Sequence, residues 1–310
     1  MSAGEGQGTK AIYAAFSANL GIALAKFVGF LLSGSASMLA ESVHSLADTG
    51  NQALLLLGGK KSQRSATDLH PFGYGRERYF WSFVVALVLF SLGGLFAIYE
   101  GVHKLEHAAE DTVDGGVVNL VILGIAVCLE GYSFKTAIGE ANPLRKGQSW
   151  LRFLRRAKTP ELPVVLIEDL GALCGLMVAL TALLLAQITD DAVWDGVGTL
   201  IIGVLLFVMA LFLAFEMKGL LIGEAADPDV QRKIVAAIEG DESVRQLIYA
   251  RTQHLGPDEV LLAAKVEFDH ALAGRQLAET IDRVEASIRA VAPVAKQIYL
   301  EPDVGRNDHQ

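Results

Sequence analysis

One apolar segment of the chain carries ionisable side chains at helical spacing. Residues 35–58 are long and apolar enough to cross a membrane, yet they include Glu41, His44 and Asp48. At about 100° per residue, these three positions lie on one stripe of a helix. An ionisable group at membrane depth costs roughly 2.5–3.5 kcal/mol on insertion scales, so it usually has a function. Since a histidine and an aspartate one turn apart can direct their donor atoms at one divalent ion, the spacing predicts a metal site.

The composition indicates a membrane protein. Of 310 residues, 52% are hydrophobic, and the mean hydropathy is +0.39, an average that a soluble domain of this size does not sustain. The formal net charge of −9 gives no bulk basic character, so we expect no nucleic-acid partner. Cys128 and Cys174 lie far apart in apolar runs, and we expect small buried side chains rather than a disulfide or a thiolate metal site.

Six segments are predicted to span the membrane as helices, each with the roughly 20 residues that a hydrocarbon core requires. They are residues 11–32, 37–58, 79–104, 116–140, 162–187 and 194–218. Basic residues gather in the loops after the second and fourth segments, and the positive-inside rule therefore places both termini in the cytoplasm. Since no signal- or transit-peptide pattern begins the chain, the acidic, alanine-rich composition predicts the inner (plasma) membrane of a bacterial cell.

Other polar residues in the predicted spans admit several interpretations. Lys26 is expected to extend its ammonium group to the membrane surface. Glu130, among apolar neighbours, is expected either to pair with Lys135 or to lie in an aqueous cavity. Asn51 and Gln52 are expected to join helices through hydrogen bonds, with the alternative that they donate to the metal ligands.

The loop over residues 144–158 combines cations with aromatic and aliphatic side chains. It contains Trp150, Leu151 and Phe153 but no acidic residue. Two interpretations stay open: an amphipathic surface helix that contacts anionic membrane lipid, or a loop whose charge only orients the spans.

After residue 221 the composition changes to that of a small soluble domain. Asp227 and Pro228 predict a helix start, and Gly240 its end. Two strands, an amphipathic helix and a third strand are predicted to follow, over 244–255, 259–268, 277–291 and 297–301. The fold class is therefore an α-helical membrane protein, with a six-helix transmembrane domain over 1–222 and a small cytoplasmic α+β domain (αββαβ, ferredoxin-like) over 223–310.

These motifs together resemble the cation diffusion facilitator family of metal transporters. The sequence around His44 and Asp48 is similar to the second helix of that family, and a His-Pro-Phe-Gly-Tyr-Gly run follows at residues 70–75. The αββαβ tail is similar to its cytoplasmic domain, so the likeness covers nearly the whole chain. The resemblance implies a homodimer of six-helix bundles and efflux of a divalent cation coupled to proton entry.

The resemblance also assigns metal ligands. His44 and Asp48 match the ligand pair of the second helix, and Asp169 matches the aspartate of the fifth. The partner position in the fifth helix is Val165, whose side chain cannot bind metal. Glu168 is expected to replace it, either as a ligand or as a residue that orients one, as in the zinc-exporter branch with Glu-Asp in this helix.

Two further family sites differ in this chain. Asp68 and His70 match in kind a site in the loop after the second helix, and they stay candidates for either a metal relay or a surface turn. A site in the cytoplasmic domain is expected to be absent, because its positions hold a lysine and three side chains without ligand atoms. These positions are Ile248, Lys265, Leu300 and Pro302.

The proposed ligands indicate the substrate. Imidazole nitrogen with carboxylate oxygen suits Zn²⁺, whereas an oxygen-rich set favours harder ions, so Mn²⁺, Fe²⁺ or Co²⁺ are alternatives. Because ligands must be deprotonated, metal is expected to exchange for protons in an alternating-access antiporter. The missing ligand at Val165 leaves open a membrane metal sensor or scaffold that does not transport. With no nucleophile–base pair or cofactor loop in the sequence, we expect no enzyme.

Overall fold

The chain forms two compact units in a computed structural model, which describes residues 9–33, 36–88, 93–107, 117–145 and 147–305. The first unit contains Glu77–Lys218 and the chain that precedes Arg64. The second combines the loop Arg64–Arg76 with the chain that follows Lys218. The loop after the second predicted span thus shares a unit with the C-terminal segment, while the domain boundary between residues 222 and 223 stays a prediction.

Helices account for nearly all of the described part of the first unit. They are α1 (Thr9–Ser33), α2 (Ala36–Ser62), α3 (Glu77–Val88), α4 (Phe96–His107), α5 (Val117–Arg145), α6 (Trp150–Arg156), α7 (Glu161–Thr189) and α8 (Val193–Ile222). One turn of π-helix at residues 93–95 precedes α4.

Within the described residues, five stretches are long and apolar enough to cross a membrane. They are Lys10–Gly29, Glu77–His107, Leu120–Arg145, Glu161–Thr189 and Val193–Ile222. The remaining predicted span, α2, is long enough at 27 residues, but its polar side chains make it less apolar than the other five. Length and composition therefore support five of the predicted spans, and length alone supports the sixth.

The helices pack around α1 and α7. α1 contacts α2, α5 and α7, and α5 also contacts α7. Glycines allow α4 and α8 to approach closely, since a Cβ on Gly101 would lie 2.6 Å from the backbone nitrogen of Leu200. Cys128 and Cys174 are free thiols with exposed side chains, so the expectation that they are buried is wrong.

The second unit contains the predicted αββαβ arrangement. Its elements are α9 (Pro228–Glu239), β1 (Val244–Gly256), β2 (Glu259–Phe268), α10 (Gly274–Val291) and β3 (Ala295–Pro302). β2 is the central strand, antiparallel to β1 and parallel to β3. The sequence-based prediction of this fold is confirmed.

Local sequence rules explain these elements. The Asp227 carboxylate caps α9 by accepting a hydrogen bond of 2.9 Å from the Asp229 N–H, Pro228 opens the first turn, and Gly240 ends the helix. Alternate residues of β2 are buried. They form a core with α9, α10 and β3 that includes Ile234, Ile238, Leu262, Val266, Phe268, Val284 and Ile288.

Candidate functional site

Helix α2 carries the first two predicted ligands. His44 and Asp48 lie one turn apart in an uninterrupted helix, so the backbone places both positions on one stripe. Asp48 is half-buried. The side chains of His44 and of Glu41 on the same stripe lie outside the described residues.

Glu168 joins α7 to α2. Its carboxylate is 6% exposed, and each of its oxygens accepts a hydrogen bond from an amide of α2. Asn51 Nδ2 donates to Oε1 over 3.2 Å and Gln52 Nε2 to Oε2 over 2.5 Å. The amide oxygens of Asn51 and Gln52 are buried and accept no hydrogen bond within the described residues. The hydrogen bonds fit both alternatives for these amides, since they join α2 to α7 and their partner is the acid predicted at the metal site.

Asp169, the next residue of α7, is also buried. It is 1% exposed, and its Oδ2 accepts a hydrogen bond of 2.7 Å from the Ser133 hydroxyl of α5. One oxygen of Asp169 is thereby fixed, and Oδ1 is the oxygen with no hydrogen bond to Ser133. Val165, one turn earlier on α7, is fully buried and apolar.

Two more ionisable residues lie in the same part of the bundle. Lys26 of α1 is 7% exposed, and its ammonium group donates to the Ser45 hydroxyl of α2 over 3.1 Å. The expectation that Lys26 reaches the membrane surface is therefore wrong. Glu130 of α5 is buried, and Asp169, Asp48 and Lys26 all act on it electrostatically. The cation near Glu130 is Lys26 rather than Lys135.

These residues surround a polar region with several carboxylates. Asp48, Glu130, Glu168 and Asp169 come from three helices, and Lys26 from a fourth. Among the described side chains, which exclude His44, no three His, Cys, Asp or Glu residues could hold one metal ion.

The loop between α2 and α3 holds the other candidate pair. Asp68 and His70 are both exposed. A backbone turn forms where the His70 N–H donates to the Thr67 carbonyl over 3.0 Å, and the His70 ring contacts Tyr74 edge-on with centroids 4.6 Å apart. Asp68 and His70 thus lie in an exposed turn, as one of the two alternatives expected. Metal binding by this pair stays a prediction.

The whole membrane region matches a known family. Residues 12–222 match the family model described as "Cation efflux transmembrane domain", which covers more than half of the chain. The chain belongs to the cation efflux family. The resemblance to cation diffusion facilitators is confirmed, and this family consists of transporters, in agreement with the expectation of no enzyme.

Relatives of this cation efflux protein include eukaryotic and bacterial proteins. It is 32% identical over 259 residues to the human "Proton-coupled zinc antiporter SLC30A9, mitochondrial", covering 83% of this chain and 45% of the relative. It is 31% identical over 246 residues to "Metal tolerance protein C4" of Arabidopsis thaliana, covering 79% and 53%. It is 24% identical over 291 residues to "Magnetosome protein MamB" of Magnetospira sp. (strain QH-2), covering 93% and 92%. The chain thus spans about half the length of the first two relatives and most of the third.

In the second unit of this cation efflux protein, Lys265 forms ion pairs at one of the positions that the resemblance aligned with a metal site. The Lys265 ammonium lies 2.7 Å from Asp303 Oδ2 and 3.1 Å from Glu301 Oε1. Hydrogen bonds to Asp303 and Glu301 raise the pKa of Lys265 above its ordinary value. A fixed cation therefore neutralises these two acids at a position that the resemblance associates with metal.

The sequence did not indicate how the acidic residues are held. Ser133 and Ser45 have no special spacing, and only the packing of α5 and α1 places them beside Asp169 and Lys26. Glu130 and Lys26 did carry a signal, because both are ionisable residues within apolar segments.

Proposed function

We propose that this protein is a proton-coupled antiporter that exports a divalent metal cation, zinc first, by alternating access. The observation that carries the proposal is the placement of buried Asp169 on α7, directly after the Glu168 that binds α7 to α2. α2 is the helix of His44 and Asp48. The hydrogen bonds of Glu168 thus join α7 to α2 about one turn from Asp48, and both helices carry residue types that can bind a metal ion.

In this proposal His44, Asp48 and Asp169 bind the ion and Glu168 positions them. Both oxygens of Glu168 already accept hydrogen bonds, so its role is to keep α2 and α7 together while the site changes access. The Ser133 hydroxyl holds one oxygen of Asp169 and leaves the other to coordinate. One imidazole and two carboxylates suit zinc.

Proton coupling follows from the charge of the site. Carboxylates and imidazole bind metal only when deprotonated, so metal entry releases protons and protonation releases metal. In the metal-free site, Lys26 offsets part of the negative charge of the surrounding carboxylates. The human relative is named as a proton-coupled zinc antiporter, which supports exchange of metal for protons.

Manganese, iron or cobalt is the second candidate substrate. Four acidic side chains lie in the region of the site, and oxygen-rich sets favour harder ions than zinc. We further propose that the protein is a homodimer in the inner (plasma) membrane with both termini in the cytoplasm, as the loop charges predict. The pair Asp68 and His70 is proposed as an accessory metal relay on the cytoplasmic side.

The test is metal uptake into proteoliposomes with an imposed pH gradient, measured in turn for Zn²⁺, Mn²⁺, Fe²⁺ and Co²⁺. We expect zinc uptake that rises with the gradient and falls by more than about 100-fold in Asp169→Asn. Asp190→Asn is the matched control, since Asp190 is an exposed residue at the end of α7 and asparagine tolerates its left-handed backbone. Zinc uptake that ignores the gradient would exclude antiport, and zinc binding without uptake would favour a sensor or scaffold.

A further inference from the structure

The segment between α5 and α7 concentrates positive charge without acidic residues. From Arg145 to Lys158 the chain contains basic residues but no aspartate or glutamate. The structure forms the short helix α6 here, beginning after Ser149, whose hydroxyl caps no backbone N–H of the helix.

Three arginines share one stripe of α6. Arg152, Arg155 and Arg156 stand at positions i, i+3 and i+4, and all three are exposed. The side chain of Phe153, next to this stripe, is 8% exposed and anchors the helix to the bundle. The helix therefore has a fixed orientation, with a guanidinium surface directed outwards.

The stripe lines a cavity that has both polar and apolar walls. The cavity has a volume of about 290 Å³ and is lined by Ser149, Leu151, Arg152, Arg155 and Arg156. Within the described part of the chain, none of the three guanidinium groups forms an ion pair with a carboxylate. The positive charge of this cavity is therefore not compensated by the described residues.

A neighbouring arginine fixes the edge of the cavity. Arg145 donates to the Gln148 carbonyl over 2.8 Å, and its guanidinium lies 4.5 Å from the centroid of the Trp150 ring. Trp150 and Leu151 are nevertheless 38% and 53% exposed. Apolar groups thus lie beside the guanidinium groups, as at a membrane–water interface.

The connections of α6 place it near the ends of two membrane spans. Four residues separate α6 from the apolar helix α5, and four separate it from the apolar helix α7. The five Cα–Cα steps across each connection reach at most about 18 Å. α6 therefore lies within about 18 Å of the ends of both helices.

We propose that this cavity binds the phosphate headgroup of an anionic phospholipid. Guanidinium groups bind phosphate oxygens with paired hydrogen bonds, the Ser149 hydroxyl adds a further donor, and Leu151 and Trp150 contact the first carbons of the lipid. A basic residue near an anionic membrane surface contributes about 1 kcal/mol, which is about fivefold in affinity per arginine. Loss of all three arginines should therefore weaken lipid affinity by at most about 100-fold.

The test is the dissociation constant of short-chain phosphatidylglycerol for the detergent-purified full chain, measured by native mass spectrometry. We expect the triple variant Arg152→Gln, Arg155→Gln, Arg156→Gln to weaken binding by at least about tenfold and to leave the melting temperature unchanged. Phosphatidylcholine is expected to bind the wild type at least about tenfold more weakly than phosphatidylglycerol. The measurement uses no metal, so its outcome is independent of the transport proposal.

A matched triple variant removes the same charge elsewhere. Arg232→Gln, Lys233→Gln and Arg275→Gln change helices α9 and α10 of the second unit, and this variant should bind phosphatidylglycerol like the wild type. Equal losses in both triple variants would overturn the site in favour of net charge. Displacement of the lipid by inorganic phosphate at equal concentration would overturn it in favour of a free anion. The triple variant Arg152→Lys, Arg155→Lys, Arg156→Lys keeps the charge, and wild-type affinity in this variant would overturn specific recognition by guanidinium groups.

Discussion

Two adjacent acids of α7 are expected to have different roles, and replacing them one at a time separates these roles. Glu168 accepts hydrogen bonds from Asn51 and Gln52 of α2, whereas Asp169 accepts one from Ser133 of α5. Glu168→Gln keeps the size of the side chain but replaces a carboxylate that accepts twice by an amide. Asp169→Asn keeps an oxygen for the serine and removes the negative charge.

The expected losses of stability follow from these bonds. A buried donor that loses its acceptor costs about 1–3 kcal/mol. Glu168→Gln leaves one oxygen where two accepted, so one amide donor of α2 loses its acceptor and the change should cost about 2 kcal/mol. Asp169→Asn keeps an oxygen for the Ser133 hydroxyl and should cost about 1 kcal/mol. At about 2–4 °C per kcal/mol for a unit of this size, the melting temperature should fall by about 4–8 °C and 2–4 °C.

Zinc binding should follow the opposite order. Asp169→Asn removes a proposed ligand and should weaken zinc affinity by more than about 100-fold. Glu168→Gln removes a group that supports the ligands and should weaken zinc affinity by about tenfold. Isothermal titration of zinc into the detergent-purified chain, with thermal unfolding of the same samples, measures both quantities.

A third variant controls for instability of α7. Glu161, at the first turn of the same helix, is 3% exposed and accepts a hydrogen bond of 2.9 Å from Arg78 Nη2. Glu161→Gln should lower the melting temperature and leave zinc affinity unchanged. If Glu168→Gln lost zinc binding as completely as Asp169→Asn while melting like the wild type, Glu168 would be a ligand and our division of roles would be refuted.

Three further predictions concern the second unit, and amide hydrogen exchange of β2 in the full chain measures each. Gly75→Ala should destabilise the unit by about 1–3 kcal/mol, because the new Cβ would lie 2.7 Å from the carbonyl oxygen of Leu255. The control Gly274→Ala should leave stability unchanged, because a Cβ there meets nothing within 4 Å. Ile288→Ala, fully buried in the core, should cost about 2–5 kcal/mol, and unchanged exchange would contradict the described core. Hydrogen bonds from Arg283 lower the pKa of Asp241 below its ordinary value. The pair therefore stabilises the folded second unit above about pH 4, and this stabilisation is lost as pH falls through the lowered pKa. Arg283→Gln should therefore cost up to about 1 kcal/mol at pH 7 and nothing near pH 2, and a pH-independent difference would contradict this pairing.

The fold of the second unit was predictable because local rules determine the ends and faces of its elements. The buried alternation of β2 follows directly from its period of two, and its burial pattern has the predicted face inside. Asp227, Pro228 and Gly240 set the ends of α9 through capping chemistry that acts within a few residues. Neither result depends on distant parts of the chain.

The candidate site was predictable only as a set of positions. Asp48 was identified as an acid within an apolar segment and Asp169 through the family resemblance, but the roles proposed for Glu168 and Asp169 depend on which helix each one faces. Neighbours on a helix point about 100° apart, so Glu168 meets the amides of α2 while Asp169 meets Ser133 of α5. Lys26 shows the same limit, since a lysine near the end of an apolar segment is normally expected to reach the surface. Only the packing of α1 against α2 shows that its ammonium binds Ser45 instead.

The loop Arg64–Arg76 contains a backbone contact that its side-chain chemistry does not predict. Its basic residues predicted membrane orientation, and its Asp68 and His70 predicted metal binding, yet its contact with the β1–β2 turn joins two backbones. Gly75 meets the β1–β2 turn, where a Cβ on Gly256 would lie 3.0 Å from the Gly75 Cα. Only glycine at both positions permits this approach of two backbones. A substitution at Gly75 is therefore expected to disturb a backbone contact within the second unit.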